Sequence, residues 1–298
     1  MSTHRLTNAA LRAEGLPRRR AVNRLMEALA WLAAIIGVAI LCIVVWSVAR
    51  RGAGALNLDL LTKTPVSFSL TPVKQGLANA FVGSIVVVAI ATAMAVPVGI
   101  LVAVYLNEFA PPPIRTAVSL SLDVLNGVPA IVIGIFVYGL LVAGHGQSGY
   151  AGAFALACIM LPLVARSTME VLALVPNALR EASLALGVPR WRTTLSIVLP
   201  QTVGGIVTGS VLAIARVAGE TAPLLLVSSV VGNSVGWDAH HALQTVPLAI
   251  FELSESPDPA DHTRAWAAAF VLLLFILVAS LGARWLAARG QRRLGASH

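Results

Sequence analysis

Across 298 residues only 11% of side chains are charged while 57% are hydrophobic, and the mean hydropathy is +0.84. A soluble domain carries about a quarter charged residues, so these values exclude a soluble globular enzyme and predict an all-α polytopic membrane protein. The net charge of +8 does not point to nucleic acid, because most of it lies in short segments beside apolar runs and no aromatic-basic patch accompanies it.

Residues 1–26 are a basic stretch expected as a cytoplasmic tail. Arg18-Arg19-Arg20 ahead of an apolar run has the outline of a signal peptide, but the 22 uncharged residues from Ala28 to Ala49 exceed a signal's apolar region, and Arg50 and Arg51 follow. The run is read as a retained anchor and first membrane helix, since a bilayer core takes about 20 apolar residues. Gln75 to Asn107 is long enough for a tilted second helix. Val124 to Ala165 holds no Asp, Glu, Lys or Arg and is too long for one span. The turn-rich Gly144-His145-Gly146-Gln147-Ser148-Gly149 inside it predicts helices three and four joined by a short hairpin. Thr202 to Val231 is the fifth helix, running through Arg216 and Glu220, and Ala265 to Ala283 the sixth. A membrane domain over residues 27–286 and a cytoplasmic tail over 287–298 complete the expected organisation.

About six helices place both termini on one side. With the N-terminus inside, 14 of the 21 Lys and Arg fall in the inner segments, 5 in the outer segments and 2 within spans, so the positive-inside rule gives an N-in, C-in orientation.

That orientation puts the polar stretch from about 171 to 200, between helices four and five, in the cytoplasm. Pro176 and Asn177 offer a helix start ahead of Ala178 to Leu186, Gly187 allows the positive φ that ends it, and Pro189 stops it from continuing. Trp191 between Arg190 and Arg192 suits a membrane-interface anchor. A transporter driven by a separate ATPase needs such a lever: short helix, turn, then a helix entering the membrane. An ordinary amphipathic interfacial loop is the alternative.

The spacing of Glu181-Ala182-Ser183, Gly187 and Ile197-Val198-Leu199-Pro200 resembles the EAA loop of ABC-importer permeases, with Ser183 where that family usually has a second Ala. The resemblance implies that Glu181, Ala182, Gly187 and Pro200 belong to the ATPase-coupling element, Glu181 and Gly187 helping to seat a short helix in a cleft of a nucleotide-binding subunit. No Gly-x-x-x-x-Gly-Lys-Ser/Thr cradle occurs, and Lys63 and Lys74 follow no glycine-rich loop. ATP and its magnesium are therefore expected on a partner subunit, with no cofactor in this chain.

An ionisable side chain at the membrane core costs at least about 2.5–3.5 kcal/mol on insertion scales and is a functional candidate by default. Asp123, Arg166, Arg216 and Glu220 qualify. Arg216 and Glu220, four apart, are expected on one helix face, close enough to neutralise each other. Asp123 near the start of helix three and Arg166 near the end of helix four can pair across helices. The other reading makes the guanidinium groups line an anion path, because their forked donors match a tetrahedral oxyanion. Gly127 and Pro129, and Gly219 with Pro223, loosen their helices where backbone groups face a cavity, or the glycines simply allow close packing.

The segment Ala215-Arg216-Val217-Ala218-Gly219-Glu220-Thr221-Ala222-Pro223-Leu224-Leu225 resembles the signature of the A-type permease subunit of the phosphate-specific ABC importer. Asn126-Gly127-Val128-Pro129-Ala130-Ile131-Val132-Ile133-Gly134-Ile135-Phe136 agrees with it, as does Arg166-Ser167-Thr168-Met169-Glu170-Val171 through Leu174-Val175-Pro176; Ala130 stands where a Ser is often found. The resemblance implies a type I ABC-importer permease fold in a bacterial plasma (inner) membrane, importing inorganic phosphate by alternating access. It implies a second, homologous permease subunit, two ATPase subunits and an extracytoplasmic phosphate-binding protein as partners. Asp123, Asn126, Arg166, Ser167, Thr168, Arg216, Glu220 and Thr221 are its candidates for the substrate pathway or gate. No catalytic role is expected, and an intramembrane enzyme would need a nucleophile and base, or a metal set, that the spans do not offer. An ABC permease for sulfate, molybdate or another polar solute is the alternative; an ATP-independent secondary transporter would show inverted repeats, which the sequence does not.

Residues 232–262 carry Asp238, Glu252, Glu255, Asp258 and Asp261 without Lys or Arg and are expected outside, where the family meets its binding protein. Val246 to Phe251 reads as a short element on the membrane surface, and His240 with His241 completes no metal set. Cys42 and Cys158 fall in spans as packing residues.

Overall fold

The computed structural model describes residues 16–65, 75–229 and 234–295, and every regular element among them is helical. The chain divides into two compact units, residues 1–50 and 51–298. Among the described residues the first holds helix α1 (Leu16–Gly52) as far as Arg50, and no described side chain from Arg19 to Arg50 is buried. Trp31, Ile35 and Ile43 stand exposed along it. The helix is longer than its apolar run and takes in part of the expected tail.

In the second unit, α2 (Leu58–Thr62) is started by the Asn57 side chain, whose Oδ1 accepts from the Leu60 N–H at 2.8 Å. Helix α3 (Ala78–Val104) continues into a π turn at Tyr105–Phe109. Its buried face is a stripe of small residues, with Gly83, Val87, Ala91, Ala95, Gly99 and Ala103 recurring every four positions. Small side chains let helix axes approach where no water drives association, and at Gly99 an added Cβ would come within 3.1 Å of Val164. The partner is α6 (Gly149–Ala173), which buries Ala153, Ala157, Met160 and Val164 in the same core.

The third predicted span takes a different form. Helix α4 (Pro112–Gly127) precedes α5 (Ala130–Val137), which runs on as a π turn to Val142, and the two are bent by 99° at Val128–Pro129. Proline lacks the N–H and pushes the residue before it toward extended backbone, and Val128 adopts φ −68, ψ 129. Asp123 therefore lies in α4, ahead of the break, rather than near the start of a straight third helix. The segment Ala130–Val142 rises only about 20 Å. Among the described residues five helices are long and apolar enough to cross a membrane, six if the bent pair is one span.

After α7 (Asn177–Ala185) and α8 (Arg190–Thr193), a π turn at Thr194–Val198 leads into α9 (Leu199–Val217). This fifth span ends fourteen residues before the expected Val231, because Pro223 cannot donate to the carbonyl one turn upstream. A new short helix, α10 (Ala222–Val227), starts with Pro223 in its first turn. Val231 itself lies outside the described residues. The chain closes with α11 (Val246–Glu255) and α12 (Pro259–Gly295).

Helix α11 does not lie on the surface as its sequence implied. Val246, Pro247, Leu248 and Ala249 are buried, Val246 and Ala249 in a cluster with Leu60, Leu77, Ala80 and Ala267. It is held by a polar chain in which Asn79 Nδ2 donates to Gln244 Oε1 (2.7 Å) and Gln244 Nε2 donates to Glu252 Oε2 (2.6 Å). Burial pushes the Glu252 carboxyl above its ordinary value, the Gln244 hydrogen bond pulling the other way. A carboxyl raised in the folded state contributes stability at low pH that is lost as pH rises through the raised pKa. The expected result is that Glu252→Gln flattens the fall in thermal midpoint across that range, measured on the purified complex from pH 4 to 8.

Candidate functional site

The two broken helices meet at their breaks. Gly134 of α5 packs so closely on α10 that an added Cβ would lie 2.7 Å from the Pro223 Cα. Beside this contact a small cavity of about 60 Å³ is lined by Asn126, Ala130, Leu163, Arg216 and Glu220. Arg216, on the last turn of α9, is exposed, and its guanidinium has neither an ion pair nor a hydrogen bond among the described residues. Glu220 is not on the same helix face, because α9 has already ended: Gly219 N bonds to Arg216 O and Glu220 N to Val217 O in the turn that follows. No Arg216–Glu220 salt bridge forms among the described residues. An unpaired guanidinium, a carboxylate and an amide thus share one cavity where both helices are interrupted, the setting in which irregular backbone is tolerated at membrane depth.

The expected cross-helix pair is present. Arg166 Nη2 sits 2.5 Å from Asp123 Oδ1 and 2.6 Å from Oδ2. Asp123 is three residues before Asn126 on α4 and Arg166 three after Leu163 on α6, so the pair lies one helical turn from the cavity wall on both sides. Ser167 and Thr168 are elsewhere. Ser167 donates to Val164 O (3.1 Å) and fits against Gly209, where an added Cβ would meet its Oγ at 2.5 Å. Thr168 is fully buried with its hydroxyl unpaired among the described residues. Thr221 is half-buried in the break before α10.

The polar loop has the lever form. Helix α7 ends in a Schellman motif: Gly187, at φ +77, donates to Leu184 O and Val188 to Ser183 O. Glu181 and Ala182 are exposed on α7, as are the apolar side chains of Leu184 and Leu186, the latter 83% exposed. Leu174 (80%) and Trp191 (59%) extend this apolar exposure, of the kind that marks a protein or membrane contact. Pro200 stands apart, in the first turn of α9 behind the π turn, whose extra residue accommodates the missing proline N–H.

Ser183, the departure from the usual Ala, shares a buried 2.8 Å hydrogen bond with Thr193 Oγ1, joining α7 to α8 across the turn. Thr193 also bonds Pro189 O, so Ser183→Ala leaves a satisfied hydroxyl behind and is expected to cost only about 1 kcal/mol, with transport retained. Gly187→Val forces a β-branched residue to positive φ, about 1–2 kcal/mol of strain or a changed helix exit. Uptake is expected to fall while the protein still inserts, measured as uptake per molecule in isolated membranes.

One functional group escaped the sequence reading. Arg180 is one of the inner-segment charges of the sequence, and its Nε and Nη2 hold Glu108 Oε2 (3.1 Å) and Oε1 (2.8 Å) side-on. Its remaining N–H groups go to Leu172 O (3.0 Å), Val175 O (2.6 Å) and Asn177 Oδ1 (3.3 Å). The lever is thereby fastened to the end of α3 and to the last carbonyls of α6. The only sequence signal was an isolated Glu108 just past a long apolar run.

Residues 95–292 match the family described as the binding-protein-dependent transport system inner membrane component. The chain is 39% identical over 269 residues to the phosphate transport system permease protein PstA of Pasteurella multocida, covering 89% of this chain and 94% of that one. It is 37% identical over 287 residues to PstA 1 of Mycobacterium tuberculosis, covering 92% and 91%. Among solved structures, a bacterial alginate ABC transporter aligns with a TM-score of 0.64 at 15% identity, over 89% of this chain and 94% of that one. The MetNI methionine ABC transporter aligns with a TM-score of 0.55 at 16% identity, over 72% and 93%. At such identities these two show the fold alone, that of ABC-importer permeases. By its match over residues 95–292 and its identity to PstA proteins along most of their length, the chain belongs to the binding-protein-dependent transport inner-membrane components, as a permease of the PstA type.

Proposed function

We propose that this chain is one of two homologous membrane-spanning subunits of an ATP-driven importer that carries inorganic phosphate into a bacterial cell by alternating access. The observation that carries this reading is Arg216, a guanidinium without a partner among the described residues, at the meeting of two interrupted helices. A tetrahedral oxyanion needs forked, permanently charged donors of that kind, and the relatives over nearly the whole length are named for phosphate.

Both termini lie inside, so the lever α7–α8 and its exposed leucines face the cytoplasm and seat on one of two ATPase subunits. ATP and magnesium are bound there and not by this chain. The segment from 234 to 262 meets an extracytoplasmic phosphate-binding protein. Radiolabelled phosphate uptake, with excess unlabelled sulfate as competitor, tests the reading in cells lacking other phosphate importers. Deletion of this chain is expected to abolish uptake, the wild-type chain to restore it, and sulfate to leave it unchanged. Undiminished phosphate uptake after deletion, or full competition by sulfate, overturns the phosphate assignment.

A further inference from the structure

We propose a second oxyanion site, remote from the helix breaks, in the polar cavity between α4 and the lever, with a phosphate group as its ligand. The cavity has a volume of about 380 Å³, and its walls include Asn107, Asn177, Arg115, Arg180, Arg190 and Glu108. Arg180 and Glu108 cancel each other and have their donors committed. Arg115 and Arg190 remain, both exposed and with no partner among the described residues. The cavity therefore holds two uncompensated positive charges.

Their placement strengthens the field. Arg115 is in the first turn of α4, which has no acidic residue there, and Arg190 opens the continuous helical run Arg190–Val217, which begins without an acidic residue. Cations there oppose the helix dipole, whose positive end lies at the N-terminus. The arrangement is unfavourable while the cavity is empty and relieved when an anion enters. Forked guanidinium donors and side-chain amides suit phosphate oxygens. Basic pockets at the cytoplasmic ends of membrane helices take phospholipid headgroups, and α4 exposes Ile114 (43%), Leu120 (62%) and Val124 (61%) as apolar surface for acyl chains. The same chemistry would hold inorganic phosphate from the cytoplasm, so the ligand is either the headgroup of an anionic phospholipid or the free ion. The site goes beyond the transport reading and does not depend on the cargo.

The test uses the full importer complex in neutral detergent, with thermal midpoints measured for wild type, Arg115→Gln and Arg115→Gln/Arg190→Gln. The probes are short-chain phosphatidylglycerol, short-chain phosphatidylcholine and inorganic phosphate. Phosphatidylglycerol is expected to raise the wild-type midpoint well above phosphatidylcholine, the increment at least halving in the single variant and vanishing in the double. A response to inorganic phosphate that disappears in Arg115→Gln but survives in Arg216→Gln makes the free ion the ligand of the same site. Equal responses to both lipids with none to phosphate, or responses unchanged in the double variant, overturn the proposal. Loss of co-purifying ATPase subunit in Arg115→Gln also overturns it, because the cavity would then be a protein contact.

Discussion

Arg180→Lys is expected to uncouple ATP hydrolysis from transport although it preserves the charge. Arginine has five N–H donors in a fixed fork and lysine three on one atom. All five are in use at Arg180: two on the Glu108 carboxylate, one on each of the Leu172 and Val175 carbonyls and one on Asn177. The two side chains are only 18% and 9% exposed, so solvent screens them little. Removing one partner of a buried pair costs about 3–5 kcal/mol. Lysine keeps the charge but cannot reach Leu172 O, Val175 O and Asn177 together with both carboxylate oxygens.

The tether joins three elements: the lever, the end of α3 and the C-terminal end of α6. A lever released from them can still seat on an ATPase without pulling the membrane helices. In proteoliposomes, phosphate moved per ATP hydrolysed is expected to fall at least about tenfold for Arg180→Lys and for Glu108→Gln, the equivalent of 1.4 kcal/mol. The reciprocal swap Arg180→Glu/Glu108→Arg distinguishes tether from simple charge pair. Because the guanidinium also caps α6, the swap is expected to fail; restored coupling would reduce the contact to an ion pair.

The lever was legible in the sequence because its punctuation is local: Pro176, Gly187 and Pro189 each dictate backbone within one or two residues, and the structure ends α7 at Ala185 with Gly187 at φ +77. Asp123 and Arg166 were legible as a pair because few charges lie in the membrane and these two had each other in reach. The break at Pro129 was harder to read. Counting charges finds the length of an apolar run but not its direction, so it starts the third span at Val124, misses the 99° bend inside it and leaves helix α4, which carries Arg115 and Asp123, as an inner connection ahead of it. The position of Glu220 failed for the same reason, since i, i+4 spacing means neighbouring side chains only if the helix continues, and Pro223 ends it. Helix α11 looked superficial because its acidic residues dominate the segment, whereas Gln244 and Asn79, far apart in sequence, hold its apolar start in the core.

Arg216→Gln is expected to reduce phosphate uptake about ten- to a hundredfold at unchanged membrane level. A charge-assisted hydrogen bond is worth about 1.5–3 kcal/mol, and no partner among the described residues holds the guanidinium in place, so its removal leaves no buried charge stranded and little stability is lost. The defect should therefore appear in transport and not in assembly. Arg216→Lys keeps the charge without the fork and is expected to fall between wild type and Gln. Glu220 lines the same cavity, and on the proposed pathway its carboxylate would repel an anion there and favour release. Glu220→Gln should then slow turnover while the ATPase still responds to loaded binding protein, a split that a purely structural role for either residue would not produce. Normal uptake by Arg216→Gln would leave the path to be sought one turn away, at Asp123 and Arg166, where the two charges already satisfy each other.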